Sequence, residues 1–362
     1  MQRYLFIDYT KFIGIFLVIF GHILQNFSLT ENNLYCLKLW EFIYLFHVPL
    51  FFIVSGFLYK NKEHSANMDK IIFGLLIPYL IYQFLYFPFI YSSYIINYHY
   101  PPISTFFKCL AGIFLGDFLT SDFSLPVCGP CWFIISIITI RLLCNFINFT
   151  AKNILLIVVL AFSILKFLII KNIDLYFCID NTLMAIPYFF FGYFIKQKLF
   201  QKNFITENIF KISDFNKLLF NIVYFLVSVI ILLVILKYNG LIQMNLRINT
   251  ILQKQSLILS YIAGVTGSLL IFKISALLKW NLKFIEVISK NTLFIIFYHY
   301  LIIFIFSWCK YKSLIYLFNS TFSKICFCIF SAFLILLISY FSIIIFEKNM
   351  PIILGKQKNL ER

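Results

Sequence analysis

Long apolar runs alternate along the chain with short clusters of basic and polar residues. A helix rises about 1.5 Å per residue, so crossing a bilayer takes about 20 mostly apolar residues. Runs of that kind predict ten spans, at residues 5–28, 40–59, 71–96, 131–149, 154–171, 183–200, 218–238, 256–278, 291–308 and 324–346. Residues 103–119 form a further apolar stretch suited to an interfacial or re-entrant helix. No internal repeat, linker or soluble segment interrupts the series. Lipid offers no partner to backbone polar groups, so spans of this length must be helical. The expected fold is an all-α integral membrane protein, with about ten transmembrane helices in one bundle and a single domain over residues 1–362.

Composition agrees with the pattern. Of the 362 residues 62% are hydrophobic and 12% charged, and the mean hydropathy is +0.93. Soluble domains average about 45–50% apolar and about 25% charged residues. This balance excludes a soluble enzyme, a disordered regulator and a secreted disulfide scaffold. The net charge of +16 does not argue for nucleic acid, which needs a continuous basic face. Here the cations lie in clusters between spans, as membrane topology requires. The N-terminal end, the connections 60–70, 141–152, 196–217 and 273–290, and the C-terminal tail carry twice as many Lys and Arg as the intervening loops. That bias puts both termini in the cytoplasm. No small-x-small cleavage site follows Phe27, and Asp8 and Lys11 interrupt the first run. The run therefore reads as a retained span.

Among nine cysteines, Cys144, Cys326 and Cys328 lie in apolar runs and serve as small hydrophobes. Cys128-Gly-Pro-Cys131 has the spacing of a redox pair, but a hydrophobic span opens directly behind it. It reads as a chance spacing or a bridge in an exposed loop.

Ionisable residues within spans are the functional candidates by default. The first span carries Asp8, Lys11 and His22. On a helix Lys11 and His22 stand about 20° apart and about 16.5 Å along the axis, with Asp8 about 40° from His22. One stripe thus holds an acid, a base and an imidazole, and it must face protein or a polar space. The plainer reading makes Asp8 and Lys11 interfacial charges and His22 a packed histidine. In the second span His47 precedes Pro49, which removes a backbone hydrogen bond and kinks a helix. Ser55-Gly56 further on permits close approach of a neighbour.

The segment Asp8-Tyr-Thr-Lys11-Phe-Ile-Gly14-Ile-Phe-Leu-Val18-Ile-Phe-Gly21-His22 resembles the first-helix signature of the membrane acyltransferase-3 family, a basic residue followed after ten others by histidine. Phe46-His47-Val48-Pro49-Leu50-Phe51-Phe52 with Ser55-Gly56-Phe57-Leu58 resembles its second-helix signature. Gly129-Pro130-Cys131-Trp132-Phe133, Ala185 to Tyr193, Ile288-Ser289-Lys290-Asn291-Thr292-Leu293 with His299, and Pro351 to Gly355 extend the likeness over residues 6–355. It is closest to the fucose 4-O-acetylase-like and polysaccharide O-acetyltransferase branch. Lys11 stands where many members have Arg, which forgoes bidentate binding of phosphate or carboxylate.

The resemblance implies transfer of an acyl group, usually acetyl, from cytoplasmic acetyl-CoA to a sugar hydroxyl of a cell-surface polysaccharide or its lipid-linked precursor. It implies a multi-pass protein of the bacterial inner membrane, with membrane lipid around it and no permanently bound cofactor. His22 is then the general base, or the carrier of a transient acyl-imidazole. Lys11 meets the anionic donor or a developing oxyanion, or else only snorkels and sets topology. Asp8 pairs with Lys11 at i, i+3, or caps the helix start. Arg141 holds a donor phosphate or belongs to the positive loop. His47, Ser55, Trp132, Phe133, Asp180, Asn181 and His299 are expected along the acceptor path, against the reading that the aromatics are interfacial and the histidines packed. Glu286, Ser289 and Asn291 can equally form a helix start. No histidine pair shares ligand spacing with acids, so no metal site is expected. The rival class is a transporter or flippase of glycan precursors that uses the Asp8, Lys11 and His22 stripe. Paired halves with broken midplane helices would mark it, and the second half shows no counterpart of that stripe.

Overall fold

The computed structural model describes the chain except residues 1–3, 28, 61–63, 100, 116–117, 120–123, 126–130, 148–149, 172, 174, 202–214, 243–254, 310 and 357–362. Helices follow one another in the order α1 (Leu5–Asn26), α2 (Leu34–Tyr44), α3 (His47–Leu58), α4 (His64–Ile71), α5 (Ile77–Tyr98), α6 (Pro102–Leu115), α7 (Cys131–Asn145), α8 (Ala151–Lys171), α9 (Ile179–Gln201), α10 (Phe215–Asn239), α11 (Leu257–Leu277), α12 (Lys283–Lys290), α13 (Thr292–Trp308) and α14 (Thr321–Asn349). A π-helical turn, Ile72–Leu76, joins α4 to α5. Two-residue strands, Phe118–Leu119 and Ser124–Leu125, pair antiparallel and are the one departure from all-helical structure among the described residues.

Among the described residues seven helical stretches are long and apolar enough to cross a membrane: Leu5–Asn26, Leu34–Leu58, Met68–Ile96, Ala151–Lys171, Phe220–Asn239, Leu257–Leu277 and Thr321–Asn349. The bent pair Lys283–Lys290 and Thr292–Phe306, which turns through 88°, is long and apolar enough when its two helices are taken together. Two of the ten expected spans stand apart from these. The stretch 131–149 yields the 15-residue α7, short for a full crossing, and 183–200 lies inside α9. The apolar stretch at 103–119 folds as the 14-residue α6. Only 22% of the apolar window of α8 and 17% of that of α10 is buried inside the protein. Side chains such as Leu155, Leu156, Phe225 and Leu226 point outward, as lipid-facing surfaces require.

The chain forms two compact units. The first comprises Met1–Leu58, Phe191–Gln243 and Gln255–Ile344, and α1 is its axis, packing on α2, α3, α11, α12 and α13. Glycine makes these approaches close. A Cβ on Gly14 would meet Leu50 and Phe51 at 3.0 Å, and one on Gly21 would meet the Tyr44 ring at 2.7 Å. Seven residues apart, the two glycines give α1 a smooth strip against which α2 and α3 run antiparallel. Gly267 on α11 receives Phe46, and Gly192 on α9 lies against the Ile53 carbonyl. Ile15, Ile19, Ile23 and Leu24 of α1 are fully buried.

Helix ends follow local chemistry. The Asn33 side chain accepts from the Tyr35 and Cys36 amides and starts α2. Pro49 cannot donate to the Leu45 carbonyl, and the break between α2 and α3 falls at Leu45–Phe46. Asn239 Nδ2 and Oδ1 bond Ser256 O and N at 3.1 and 2.6 Å, tying the end of α10 to the start of α11.

The second unit comprises Tyr59–Phe190, Met244–Lys254 and Ile345–Arg362. Here α5 packs on α6 and on the 3₁₀ turn Pro351–Leu354, and α4 packs on α7. Tyr79 Oη donates to Ile113 O at 2.7 Å, and Gln83 Nε2 donates to Tyr79 Oη at 3.2 Å, so this polar chain is satisfied inside the α5–α6 seam.

Candidate active site

In the first unit the polar stripe of α1 meets three other helices, α12, α2 and α13. Asp8 is buried and its Oδ1 accepts from Ser289 Oγ at 2.9 Å. Ser289 therefore serves as a partner for the acid, since α12 starts earlier, behind Leu282. Asn291 sits at the 88° bend between α12 and α13. Its Nδ2 donates to Val287 O at 2.8 Å, and its buried Oδ1 has no partner among the described residues. Lys11, half-buried one turn along α1, has Asp8 as its charged neighbour. It makes no hydrogen bond or ion pair among the described residues.

Three turns further along the same helix, about 16.5 Å from Lys11, His22 stands in an aromatic and imidazole cluster. Its Nδ1 lies 3.3 Å from Tyr44 Oη and 3.2 Å from Tyr300 Oη. The Tyr300 ring is 4.8 Å from the imidazole, and the His299 ring is 5.4 Å away at 31°. Tyr44 is fixed between Trp40 and His47, each 4.2 Å from it between ring centres. His47 and His299 are buried, and each places Nδ1 against the carbonyl four residues earlier, Ile43 O at 3.1 Å and Ile295 O at 2.7 Å. A carbonyl only accepts, so both rings carry the proton on Nδ1 and keep a bare Nε2. His299 Nε2 is buried and has no hydrogen-bond partner among the described residues. Ser55 lies half-buried on α3.

The remaining candidates belong to the second unit. Trp132 and Phe133 are buried in the first turn of α7, with rings 6.2 Å apart and nearly perpendicular. Arg141 lies two to three turns along the same helix, its buried Nε without a partner among the described residues. Asp180 and Asn181 are buried at the start of α9, where Asp180 Oδ1 accepts from the Asn181 amide at 2.8 Å. The turn before them, Tyr176–Cys178, packs on α7 and holds Phe177 and Cys178 at φ of 60° and 51°. Cys128 lies outside the described residues. Among those residues no group of three or more His, Cys, Asp or Glu is placed to hold a metal ion.

Sequence reasoning missed Ser289 as the partner of Asp8, and Tyr44 and Tyr300 as partners of His22. Tyr44 stands three residues before His47 and Tyr300 next to His299, so each was adjacent to a candidate. Only tertiary packing shows that both hydroxyls reach one imidazole.

A polytopic helical membrane protein with an imidazole cluster set on its first span is the class these observations define. A family model described as an acyltransferase domain matches residues 4–347, and the chain belongs to the membrane acyltransferase-3 family. No curated protein and no solved structure matches it.

Proposed function

We propose that this acyltransferase moves an acetyl group from cytoplasmic acetyl-CoA to a sugar hydroxyl of a cell-surface polysaccharide or its lipid-linked precursor, with His22 as general base. The observation that carries the reading is His22 itself: an imidazole on the first span, gripped at one nitrogen by two tyrosine hydroxyls, in a chain of an acyltransferase family. A sugar hydroxyl is a poor nucleophile until it loses its proton, and imidazole is the side chain best matched to that task near neutral pH. The hydroxyl gives its proton to His22, its oxygen attacks the thioester carbonyl, and the departing thiolate takes the proton back. Lys11, with no anion bonded to it among the described residues, supplies positive charge for the anionic donor. Asp8, held by Ser289, sets the position of that charge. Arg141 is assigned to the donor, and His47, Ser55, Trp132, Phe133, Asp180 and Asn181 to the acceptor path. The bias of basic residues supports placing both termini in the cytoplasm. The test uses membranes from the native cell supplied with labelled acetyl-CoA. Label enters glycan when the wild-type chain is present and not in a deletion strain or a His22→Ala strain with equal inserted protein. Equal transfer with His22→Ala would remove His22 from the reaction.

A further inference from the structure

Two phenol oxygens converge on one nitrogen of His22. Tyr44 Oη lies 3.3 Å from Nδ1, and Tyr300 Oη lies 3.2 Å from it. A bare imidazole nitrogen has one lone pair, which a single O–H donor satisfies. A second hydroxyl at that distance would turn an oxygen lone pair against the nitrogen's own. An N–H on the same nitrogen suits both oxygens, because one N–H is readily shared between two acceptors. Each phenol then keeps its own proton for another partner. Packing holds both oxygens in place. The Tyr44 ring lies 4.2 Å from Trp40 and from His47, and the Tyr300 ring stands edge-on to His22 at 4.8 Å. The other nitrogen of His22, Nε2, has no hydrogen-bond partner among the described residues, and the residue is only half-buried.

We infer that Tyr44 and Tyr300 are positioning residues that fix the tautomer of His22: they share its Nδ1–H, and Nε2 is left bare as the atom that takes the acceptor's proton. The proton transfer rests on the reading of His22 as the base. In that step the acceptor O–H bond breaks and an N–H bond forms at Nε2. The acceptor oxygen attacks the thioester carbonyl, the C–S bond breaks, and the thiolate sulfur takes the proton from Nε2. The Nδ1 proton stays in place throughout. The same two oxygens hold it in the neutral and in the charged ring, so neither has to move as charge develops. The opposite tautomer carries its proton on Nε2, has no lone pair at the open nitrogen, and cannot act as the base.

The test reads the tautomer directly. Full-length protein in lipid bilayers, with isotope-labelled histidine nitrogens, gives nitrogen resonance spectra in which Nδ1–H and Nε2–H imidazoles are distinct. The His22 signals are those lost in His22→Ala. His47 and His299, each with Nδ1 bonded to a carbonyl, supply the reference for the Nδ1–H form. The expected result is an Nδ1–H ring at His22 in the wild type, changing to Nε2–H in the Tyr44→Phe/Tyr300→Phe double variant. Label transfer from acetyl-CoA per inserted protein falls about 2- to 13-fold in each single variant. In the double variant it falls by more than the product of the two, because either oxygen alone can still take the N–H. An Nε2–H ring in the wild type, an unchanged tautomer in the double variant, or a double loss no greater than the product overturns the proposal. If the double variant fails to insert, the wild-type spectrum decides the tautomer. The base reading fails separately, through label transfer retained by His22→Ala, and that result leaves the tautomer as the spectrum gives it.

Discussion

Gly21→Ala tests whether the tyrosine grip on His22 matters. The added Cβ would stand 2.7 Å from Cε2 of Tyr44, whereas carbon atoms in contact settle at about 3.5–4.0 Å. The ring must therefore retreat by about 1 Å. Trp40 and His47 pack on it at 4.2 Å each, so it cannot retreat without disturbing them. Tyr44 Oη is already 3.3 Å from His22 Nδ1, near the limit of a hydrogen bond, and a shift of that size breaks the contact. Losing a neutral hydrogen bond of about 0.5–1.5 kcal/mol corresponds to about a 2- to 13-fold slower reaction. The assay is label transfer per inserted molecule for Gly21→Ala, Tyr44→Phe and the double variant. If the methyl acts through the tyrosine hydroxyl, it adds little to the rate loss once that hydroxyl is gone. A full rate in Gly21→Ala, or fully additive losses in the double variant, would refute the reasoning.

Three further outcomes are expected. Gly192→Ala puts a Cβ against the Ile53 carbonyl, a backbone atom that cannot swing aside; the variant should lose about 3 kcal/mol or more, read as a lower melting temperature in detergent. Ser289→Ala removes the donor to Asp8 Oδ1 and should cost about 1.5–3 kcal/mol, while Ser289→Thr should retain most of the stability in the same melt. Lys11→Met should raise the donor KM with the protein still inserted, and Lys11→Arg should keep it near wild type; equal values for all three would reduce Lys11 to a topological charge.

The helices were legible because the solvent is lipid. Apolar runs had to be helices, and their ends fell within a few residues of the capping and breaking residues that fix them. Pro49 announced a kink, and the break at Leu45–Phe46 lies at the carbonyl it leaves unbonded. The α12–α13 bend was not legible, since Asn291 reads equally well as a helix cap. Nor was the division into two units, because it depends on long-range packing that no local pattern records. At the site, the periodicity of α1 aligned Lys11 with His22. The partners of that stripe come from residues up to 281 positions away, and spacing carries no information about them. Asp8 shows the difference: local spacing offered Lys11, whose charged neighbour it is, and the fold adds Ser289 as a hydrogen-bond donor.

The most direct test of the account is mass spectrometry of surface glycans from the native cell, comparing wild type, a deletion strain and a His22→Ala strain with matched protein levels. The account predicts that an acetyl mass increment present in wild type is absent from both mutants. Retention of that increment in the deletion strain would contradict the proposed reaction, and retention in the His22→Ala strain alone would contradict the assignment of His22 as its base.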